Sequence, residues 1–128
     1  MNSHKMLSAM TQILQNLGRW PGVRLNAHRY GGLGIFVGGQ ELGQLHDCGL
    51  LDVSLTAVDR NALLKEGQVH RHHTFPDSSW ITLPINGIMD VPLAMEVLGM
   101  AYAHVLDAVF SGQVIMASAL PRSYGLYK

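Results

Sequence analysis

A histidine and two aspartates lie close together in an otherwise apolar part of the sequence. The stretch QLHDCGLLDVSL (residues 44–55) contains His46, Asp47 and, six residues after the histidine, Asp52. A carboxylate that accepts a hydrogen bond from one imidazole nitrogen fixes the tautomer and raises the pKa of the ring, so the other nitrogen can act as a base or acid near neutral pH. Adjacent strand residues face opposite ways, so we expect His46 to meet Asp52 rather than Asp47. The alternative is that His46 ends a strand and Asp47 belongs to an ordinary turn.

Three further histidines follow within four positions, in the segment VHRHH (residues 69–73). Together with His46 and an aspartate, they could supply nitrogen ligands to a metal. In an extended segment, however, His70 and His72 share one side and His73 faces the other, and the spacing lacks the fixed geometry of His-Glu-x-x-His on a helix. The alternative is a solvated loop. We therefore predict no metal ligands, and we take His72 as a second acid/base candidate.

Other chemical motifs are sparse. The single Cys48 excludes an intrachain disulfide and a multi-cysteine zinc site. It lies beside His46, but the sequence supplies neither an oxyanion hole nor a reason for a depressed thiol pKa, so a cysteine nucleophile is the poorer hypothesis. The glycine pairs form neither Gly-x-Gly-x-x-Gly nor a P-loop, and we predict no nucleotide cofactor.

Composition limits the class of protein. The chain has 128 residues, of which 48% are hydrophobic and 14% charged, with nine basic and nine acidic side chains. A chain this apolar folds, and a chain without basic excess is a poor match to a protein that binds nucleic acid through its phosphates. Low net charge also reduces self-repulsion, which is compatible with a homo-oligomer. No signal-peptide core or run of about 18 apolar residues is present, so we expect a cytoplasmic protein with no membrane partner.

We predict one domain over residues 1–128, comprising an N-terminal helix within 1–20 and a C-terminal extension at 111–128. Apolar residues at helical spacing predict a helix over residues 4–17. Alternation and turn residues predict strands around 23–27, in LGIFVGG and ELGQLH on either side of a Gly38-Gly39-Gln40 hairpin, around 51–55 and at 79–85. We also predict a capped helix from Thr56 to Gly67 and a long helix with Asp90 as its N-cap and Pro92 in its first turn. The stretch QVIMASAL is a candidate last strand.

The order α-β-β-β-β-α-β-α, with hairpin connections, predicts an α+β fold in which a mostly antiparallel sheet of four to six strands carries helices on one face. Strand alternation then separates two sets of side chains. The set expected under the helices is Val23, Leu25, Leu51, Val53, Ile81 and Leu83. The set expected on the open face is Arg24, Asn26, His28, Gln44, His46, Asp52, Ser54, Trp80 and Thr82. This polar, titratable face is the predicted site, and on it Trp80 is either a stacking platform or a cover for the sheet edge.

With these motifs placed, the chain resembles the luciferase-like family, which includes the fungal luciferases and many small bacterial proteins. The resemblance covers roughly residues 41–102. It rests on ELGQLHD, the strand DVSL, LLKEG followed by RHH, the tryptophan strand SWITL and a last helix that ends near AYAH. This ordering indicates a shared fold more specifically than a shared activity.

The resemblance implies oxygenation of a hydroxylated pyrone luciferin by molecular oxygen, without a tightly bound metal or flavin. Its matching positions are His46, Asp47, Arg71, His72 and Trp80. In that chemistry His46 or His72 would be the base, Arg71 would stabilise the oxyanion and Trp80 would form the wall for a planar ring. Gln44 and His28 would complete the binding surface for a small-molecule ligand. The chain departs from the fungal pattern because it is much shorter and lacks an N-terminal membrane segment.

Two alternatives stay open. The element order is also similar to a small α+β double-wing family often described as DNA-binding, through SWITLPI and LGMAYAHVL. The absent basic excess argues against phosphate recognition, although a local patch could form from Arg19, Arg24, Arg29 and Arg71. The other alternative is a metal-dependent hydrolase that uses the histidine loop, by which we mean the segment VHRHH (residues 69–73) and the residues that follow it up to the tryptophan strand.

Overall fold

Alternating and periodic stretches of the sequence fold into six strands and three α-helices. The computed structural model describes residues 3–27 and 31–110, and within them the elements are α1 (Ser3–Leu17), β1 (Val23–Ala27), β2 (Leu33–Val37), β3 (Gln40–Leu45), β4 (Leu50–Ser54), α2 (Ala57–Glu66), β5 (His70–Arg71), β6 (Trp80–Pro84) and α3 (Val91–Phe110). All strand pairs are antiparallel, in the order β1-β2-β3-β4-β6-β5. The predicted fold class is confirmed. The candidate strand QVIMASAL and the extension 111–128 lie outside the described residues.

The histidine loop contains a strand that the sequence did not predict. Two residues, His70 and Arg71, pair with Thr82 and Ile81 of β6 at the edge of the sheet. A two-residue pairing leaves almost no alternation to detect in a sequence. Its consequence is positional, because it anchors the start of the loop that follows against the sheet.

Glycines set the hairpin between β2 and β3. Val37 and Gln40 are register partners, so Gly38 and Gly39 alone form the turn, with φ of +57° and +83°. Both angles lie in the left-handed region that two-residue hairpin turns require and that glycine adopts without a steric penalty. The predicted hairpin is therefore confirmed.

The helix ends follow the capping residues, with one difference. Thr56 caps α2 by accepting a hydrogen bond from the Asp59 amide at 3.1 Å, and Gly67 ends the helix with φ of +76°. Asp90 was expected to be the N-cap of the long helix, and α3 does begin at the next residue, Val91. The difference is in the residues that Asp90 caps: it ends a single 3-10 turn, Ile88–Asp90, and its carboxylate accepts from the amides of Asn86 and Gly87 at 2.7 and 3.1 Å.

The sheet buries one set of alternating side chains against α1 and α3. Leu51, Val53, Ile81 and Leu83 are all buried, as their parity predicts, whereas Val23 and Leu25 on the edge strand β1 are only partly buried. The helices contribute a further buried set: Ala9, Ile13 and Leu17 from α1, and Ala94, Val97 and Leu98 from α3. Because this face is occupied by apolar packing, the side chains between these positions emerge on the opposite face.

The segment Ile88–Val109 is long and apolar enough to cross a membrane, judged by length and composition. The core helix of a water-soluble domain passes the same test. Here α3 contacts α1, β3 and β4, and the residues it buries belong to the main core. The segment therefore has a packing role within this domain, and the cytoplasmic location stays a prediction.

Candidate active site

A buried carboxylate occupies the centre of the sheet. Asp52 of β4 lies in register between Gln44 of β3 and Thr82 of β6, and only 1% of it is exposed. The Thr82 hydroxyl donates a hydrogen bond to Oδ1 of Asp52 at 2.7 Å, and the same hydroxyl oxygen accepts from the backbone amide of His73 at 3.2 Å. A charged group buried this deeply needs such partners, because desolvation without them is costly.

Three imidazoles converge on the other oxygen of that carboxylate. The Nε2 atoms of His46, His73 and His72 lie 2.7, 2.9 and 3.3 Å from Oδ2 of Asp52. His46 follows the last residue of β3, and the other two follow the last residue of β5. Their side chains are 20%, 40% and 11% exposed respectively, so the cluster joins the buried carboxylate to the surface. Three separate parts of the sequence thus form one polar centre.

His72 has a defined tautomer. Its Nδ1 accepts hydrogen bonds from the backbone amides of Thr74 and Phe75, at 3.1 and 2.9 Å. A neutral imidazole has one donor and one acceptor nitrogen, so a ring whose Nδ1 accepts must carry its proton on Nε2. That N–H points at Asp52. His72 is therefore a hydrogen-bond donor toward the cluster.

The surrounding groups hold Asp52 in its charged form. Burial by itself raises the pKa of the carboxyl group. Its neighbours outweigh that effect: in decreasing order, hydrogen bonds from Thr82, His73 and His46 and the electrostatic interaction with His72 lower the pKa. The net result is a pKa below the ordinary value of 3.8. Asp52 is thus an anion at neutral pH, able to accept hydrogen bonds from the imidazoles and to orient them.

Aromatic rings border the cluster on its exposed side. The rings of His72 and His73 stack with centroids 4.6 Å apart, and the Phe75 ring continues the stack at 5.7 Å from His72. Trp80 meets His72 edge-on at 6.1 Å. Phe75 is 65% exposed, which is unusual for a large apolar side chain that also stacks. The rings together form an aromatic margin beside the titratable groups.

Two arginines anchor the loop that carries His72 and His73 by hydrogen bonds to its backbone. Arg60 of α2 and Arg71 of β5 both donate to the carbonyl oxygen of Pro76, from Nη2 at 3.0 Å and Nη1 at 3.2 Å. Arg71 pairs in register with the core residue Ile81, so it belongs to the face opposite Asp52. The structure thus uses Arg71 to anchor the loop, and does not bring it to the carboxylate.

Glycine is needed where the chain enters β2 beside His46. Gly32 has φ of +108°, and a Cβ placed there would lie 2.3 Å from the Leu45 carbonyl oxygen and 2.8 Å from Cα of His46. Both contacts are with backbone and cannot be relieved by a side-chain rotation. This close approach fixes the segment around residues 31–32 against the backbone of His46.

The remaining predicted site residues have different positions. Gln44 is the register neighbour of Asp52 and donates to Oε2 of Glu41 at 3.0 Å. Asp47 is exposed in the turn after β3, where its Oδ2 lies next to Gly31. Cys48 is exposed in the same turn. His28 lies outside the described residues.

Sequence reasoning missed the part that His73 plays. Its parity was counted from His70 as if the strand continued, but β5 ends at Arg71 and the loop then turns both following histidines toward Asp52. The signal was present: Pro76 and the DSS run that follows it are turn residues, which argue against a continuous extended segment. Phe75, which extends the stack, was not considered.

Part of this cluster has the donor set of a metal site. One ligand atom each from His46, Asp52 and His73 lie within 4.8 Å of one another. Two imidazole nitrogens and a carboxylate oxygen suit a divalent transition ion. The same atoms also serve as the donors and the acceptor of an acid/base cluster.

Comparison with known proteins identifies the family. The family model described as the Luciferase domain matches residues 39–101, about half of the chain, from the β2–β3 hairpin to the middle of α3. Comparisons with curated proteins and with solved structures gave no match. Among the described residues, the three histidines that contact Asp52 lie in the matched segment, together with Asp52 and Thr82. This match assigns residues 39–101 to the luciferase-like family.

Proposed function

We propose that this protein is a luciferase-like oxidoreductase that binds a planar, enolisable small molecule beside the open face of its sheet. The observation that carries the proposal is the contact of His46 and His73 with the buried, charged Asp52, at 2.7 and 2.9 Å. The family match supports it, because the matched residues include this cluster.

The first chemical step in the proposal is removal of a proton from an enolic hydroxyl. An imidazole that donates one N–H to a carboxylate has its tautomer fixed, so its other nitrogen carries the lone pair that can accept a proton. His46 and His73 have this relationship to Asp52. His72 has a different role, since its Nδ1 is occupied by two amides, and it supplies an N–H donor. The enolate so formed would then react with molecular oxygen.

The aromatic margin supports a planar ligand. A flat conjugated ring buries its surface best against another flat ring, and Phe75, which is 65% exposed, stacks with His72, which in turn stacks with His73. Trp80 borders the same group edge-on. A ligand stacked there would have its polar edge next to the imidazoles, which is the geometry that proton transfer requires.

A ligand screen followed by oxygen uptake tests the proposal. Small aromatic and hydroxypyrone compounds are first screened by thermal shift, and any compound that stabilises the protein is then supplied as substrate in an oxygen electrode. We expect the His46→Ala variant to lose at least about 100-fold in uptake rate, the usual loss when a positioned base is removed. His70→Ala is the matched control, because His70 is exposed on the edge strand β5 and no contact between its side chain and Asp52 is seen. Uptake by His46→Ala at the wild-type rate would remove His46 from the mechanism.

A further inference from the structure

We propose that the chain binds one divalent transition-metal ion through Nε2 of His46, Nε2 of His73 and Oδ2 of Asp52. This inference goes beyond the proposed function and does not depend on it. The ligand atoms lie within 4.8 Å of one another, and they come from β4 and from the ends of β3 and β5. A sheet whose strands are fixed by pairing can hold such ligands in a constant relative position.

Crowding around one oxygen atom is the first observation in support. Three imidazole nitrogens lie within 3.3 Å of Oδ2 of Asp52. A carboxylate oxygen has two lone pairs, so it accepts two hydrogen bonds well and a third poorly. A cation shared between the two nearest nitrogens and this oxygen would satisfy all three atoms.

The distances also suit coordination. Metal–ligand bonds of about 2.1 Å that meet at about 90–110° place neighbouring donor atoms about 3.0–3.4 Å apart. His46 and His73 lie 2.7 and 2.9 Å from Oδ2, so binding an ion would lengthen these two distances by a few tenths of an ångström. It would also bring the two imidazole nitrogens, which lie within 4.8 Å of each other, to a similar separation. His73 is 40% exposed and has room to make this adjustment.

His72 is excluded as a ligand by its own hydrogen bonds. Two backbone amides donate to its Nδ1, so the neutral ring keeps its proton on Nε2 and has no lone pair there for a metal. The protein donor set is therefore two histidines and one carboxylate rather than three histidines. His72 instead directs an N–H toward the oxygen that would bind the ion.

The second oxygen of Asp52 is held in a way that suits a one-oxygen ligand. Thr82 donates to Oδ1 at 2.7 Å, and the amide of His73 donates to the same threonine hydroxyl. Supporting hydrogen bonds of this kind orient the ligands of metal sites and are needed for full affinity. They also connect the position of the His73 backbone to that of the carboxylate.

The donor set indicates the class of ion. Two imidazoles and one carboxylate, without sulfur, suit Fe²⁺, Mn²⁺, Co²⁺ or Zn²⁺ rather than Ca²⁺ or a copper thiolate centre. Three protein ligands leave coordination positions for water or for oxygen atoms of a small molecule. The aromatic margin at Phe75 lies beside the same cluster, so a planar ligand could stack there while it approaches the ion.

Metal titration of the purified full chain tests the inference. The protein is stripped with a chelator and dialysed, then titrated with Zn²⁺ by calorimetry and with Co²⁺ by visible absorption, which reports a nitrogen- and oxygen-bound ion directly. We expect one ion per chain and a loss of at least about 100-fold in affinity in His73→Ala, because a lost ligand costs more than the 10–100-fold typical of a supporting partner. His73 is substantially exposed, so this variant is expected to fold.

Two further variants separate this site from binding by a histidine-rich surface. His70→Ala should retain the affinity within about threefold, because His70 is exposed on β5 and is not one of the three ligands. His72→Asn keeps an acceptor for the Thr74 and Phe75 amides but removes the N–H directed at Oδ2 of Asp52, so it should weaken binding less than His73→Ala does. The inference is overturned if the wild-type chain binds no better than His73→Ala, or if His70→Ala weakens binding as much as His73→Ala does. Oxygen uptake measured with and without chelator tests the proposed function separately. If the titration shows no metal binding, this inference fails, and uptake that persists after complete metal removal would still support the proposed function.

Discussion

The Thr82 hydroxyl donates to Oδ1 of Asp52 across the β4–β6 ladder at 2.7 Å, and this bond determines which carboxylate oxygen is left for the histidines. Because Thr82 also accepts from the amide of His73, it connects the sheet to the histidine loop. The centre of the site is thus built by two residues that are register partners and lie 30 positions apart in the chain.

Removing the Thr82 hydroxyl should lower the free energy of unfolding, although the substitution changes the side chain by only one small group. Thr82→Val keeps the shape of the side chain but leaves a buried, charged oxygen without its donor, which costs about 1–3 kcal/mol. The free energy of unfolding measured in urea tests this, with Thr82→Ser expected to recover most of the loss. Thr11→Val is the control, because Thr11 is exposed on α1, away from the cluster. A Thr82→Val protein as stable as the wild type would contradict the role assigned to this bond.

Stability should fall in acid partly through Asp52. Its pKa in the folded protein is lowered below 3.8, so its contribution to stability is present above the unfolded-state pKa and is lost as the pH falls through the lower folded-state value. Denaturation in urea between pH 2 and 6 should show this loss below about pH 4 in the wild type. Asp52→Asn should reduce the dependence of the free energy of unfolding on pH in this range. Asp77→Asn, at an exposed site in the loop between β5 and β6, should not. Identical acid profiles for the wild type and Asp52→Asn would contradict the assignment.

Gly32 should tolerate no side chain. Alanine there would place Cβ 2.3 Å from the Leu45 carbonyl oxygen at a φ of +108°, so both strain and a backbone clash oppose it. We expect a loss of more than about 2 kcal/mol in the free energy of unfolding, since unfavourable backbone conformations alone cost about 1–3 kcal/mol. Gly38→Ala is the comparison: it has φ of +57° and nothing within 4 Å of the added carbon, so it should cost about 1 kcal/mol. Equal losses in the two variants would show that the contact with the backbone at Leu45 and His46 is unimportant.

The two arginines that hold Pro76 should act as a pair. Arg60→Ala and Arg71→Ala each remove one donor to the same carbonyl, so each should increase exchange of the amides of residues 72–79 with little change in global stability, as expected for exposed hydrogen bonds. The double variant should exceed the sum of the single effects, because the carbonyl then loses both donors. Arg24→Ala, at an exposed position on β1, serves as the control. Strictly additive exchange rates would argue against a shared anchor.

Phe75 should matter for ligand binding and not for folding. It is 65% exposed, so Phe75→Ala should change the free energy of unfolding by less than about 0.5 kcal/mol. If a planar ligand stacks on the aromatic margin, the same variant should weaken binding about 5- to 10-fold, which corresponds to a ring-stacking contribution of about 1 kcal/mol. Val58 is another exposed apolar residue, and it lies on α2. The control variant Val58→Ala should therefore leave the affinity unchanged. Fluorescence titration with a hydroxypyrone identified in the thermal-shift screen makes the comparison, and equal affinities for wild type and Phe75→Ala would place the ligand elsewhere.

Local patterns in the sequence determined the architecture and half of the site. The alternation of Leu51 and Val53 with Asp52 placed the aspartate on the face away from the helices, and the Gly38-Gly39 pair located the hairpin, because strand parity and turn geometry are properties of neighbouring residues. The same reasoning brought His46 to Asp52, and it needed no knowledge of distant contacts.

Only the tertiary structure decided how the histidine loop meets the sheet. His73 reaches Asp52 because β5 is two residues long and the loop then turns, and Arg71 lies away from the site because its register partner is Ile81. Neither fact has a local signal, since the length of a short edge strand is set by its pairing with β6 and by the hydrogen bonds to Pro76. Periodicity in a sequence indicates which way side chains face while a strand continues. The position of His73 depends instead on the residue at which β5 ends, Arg71.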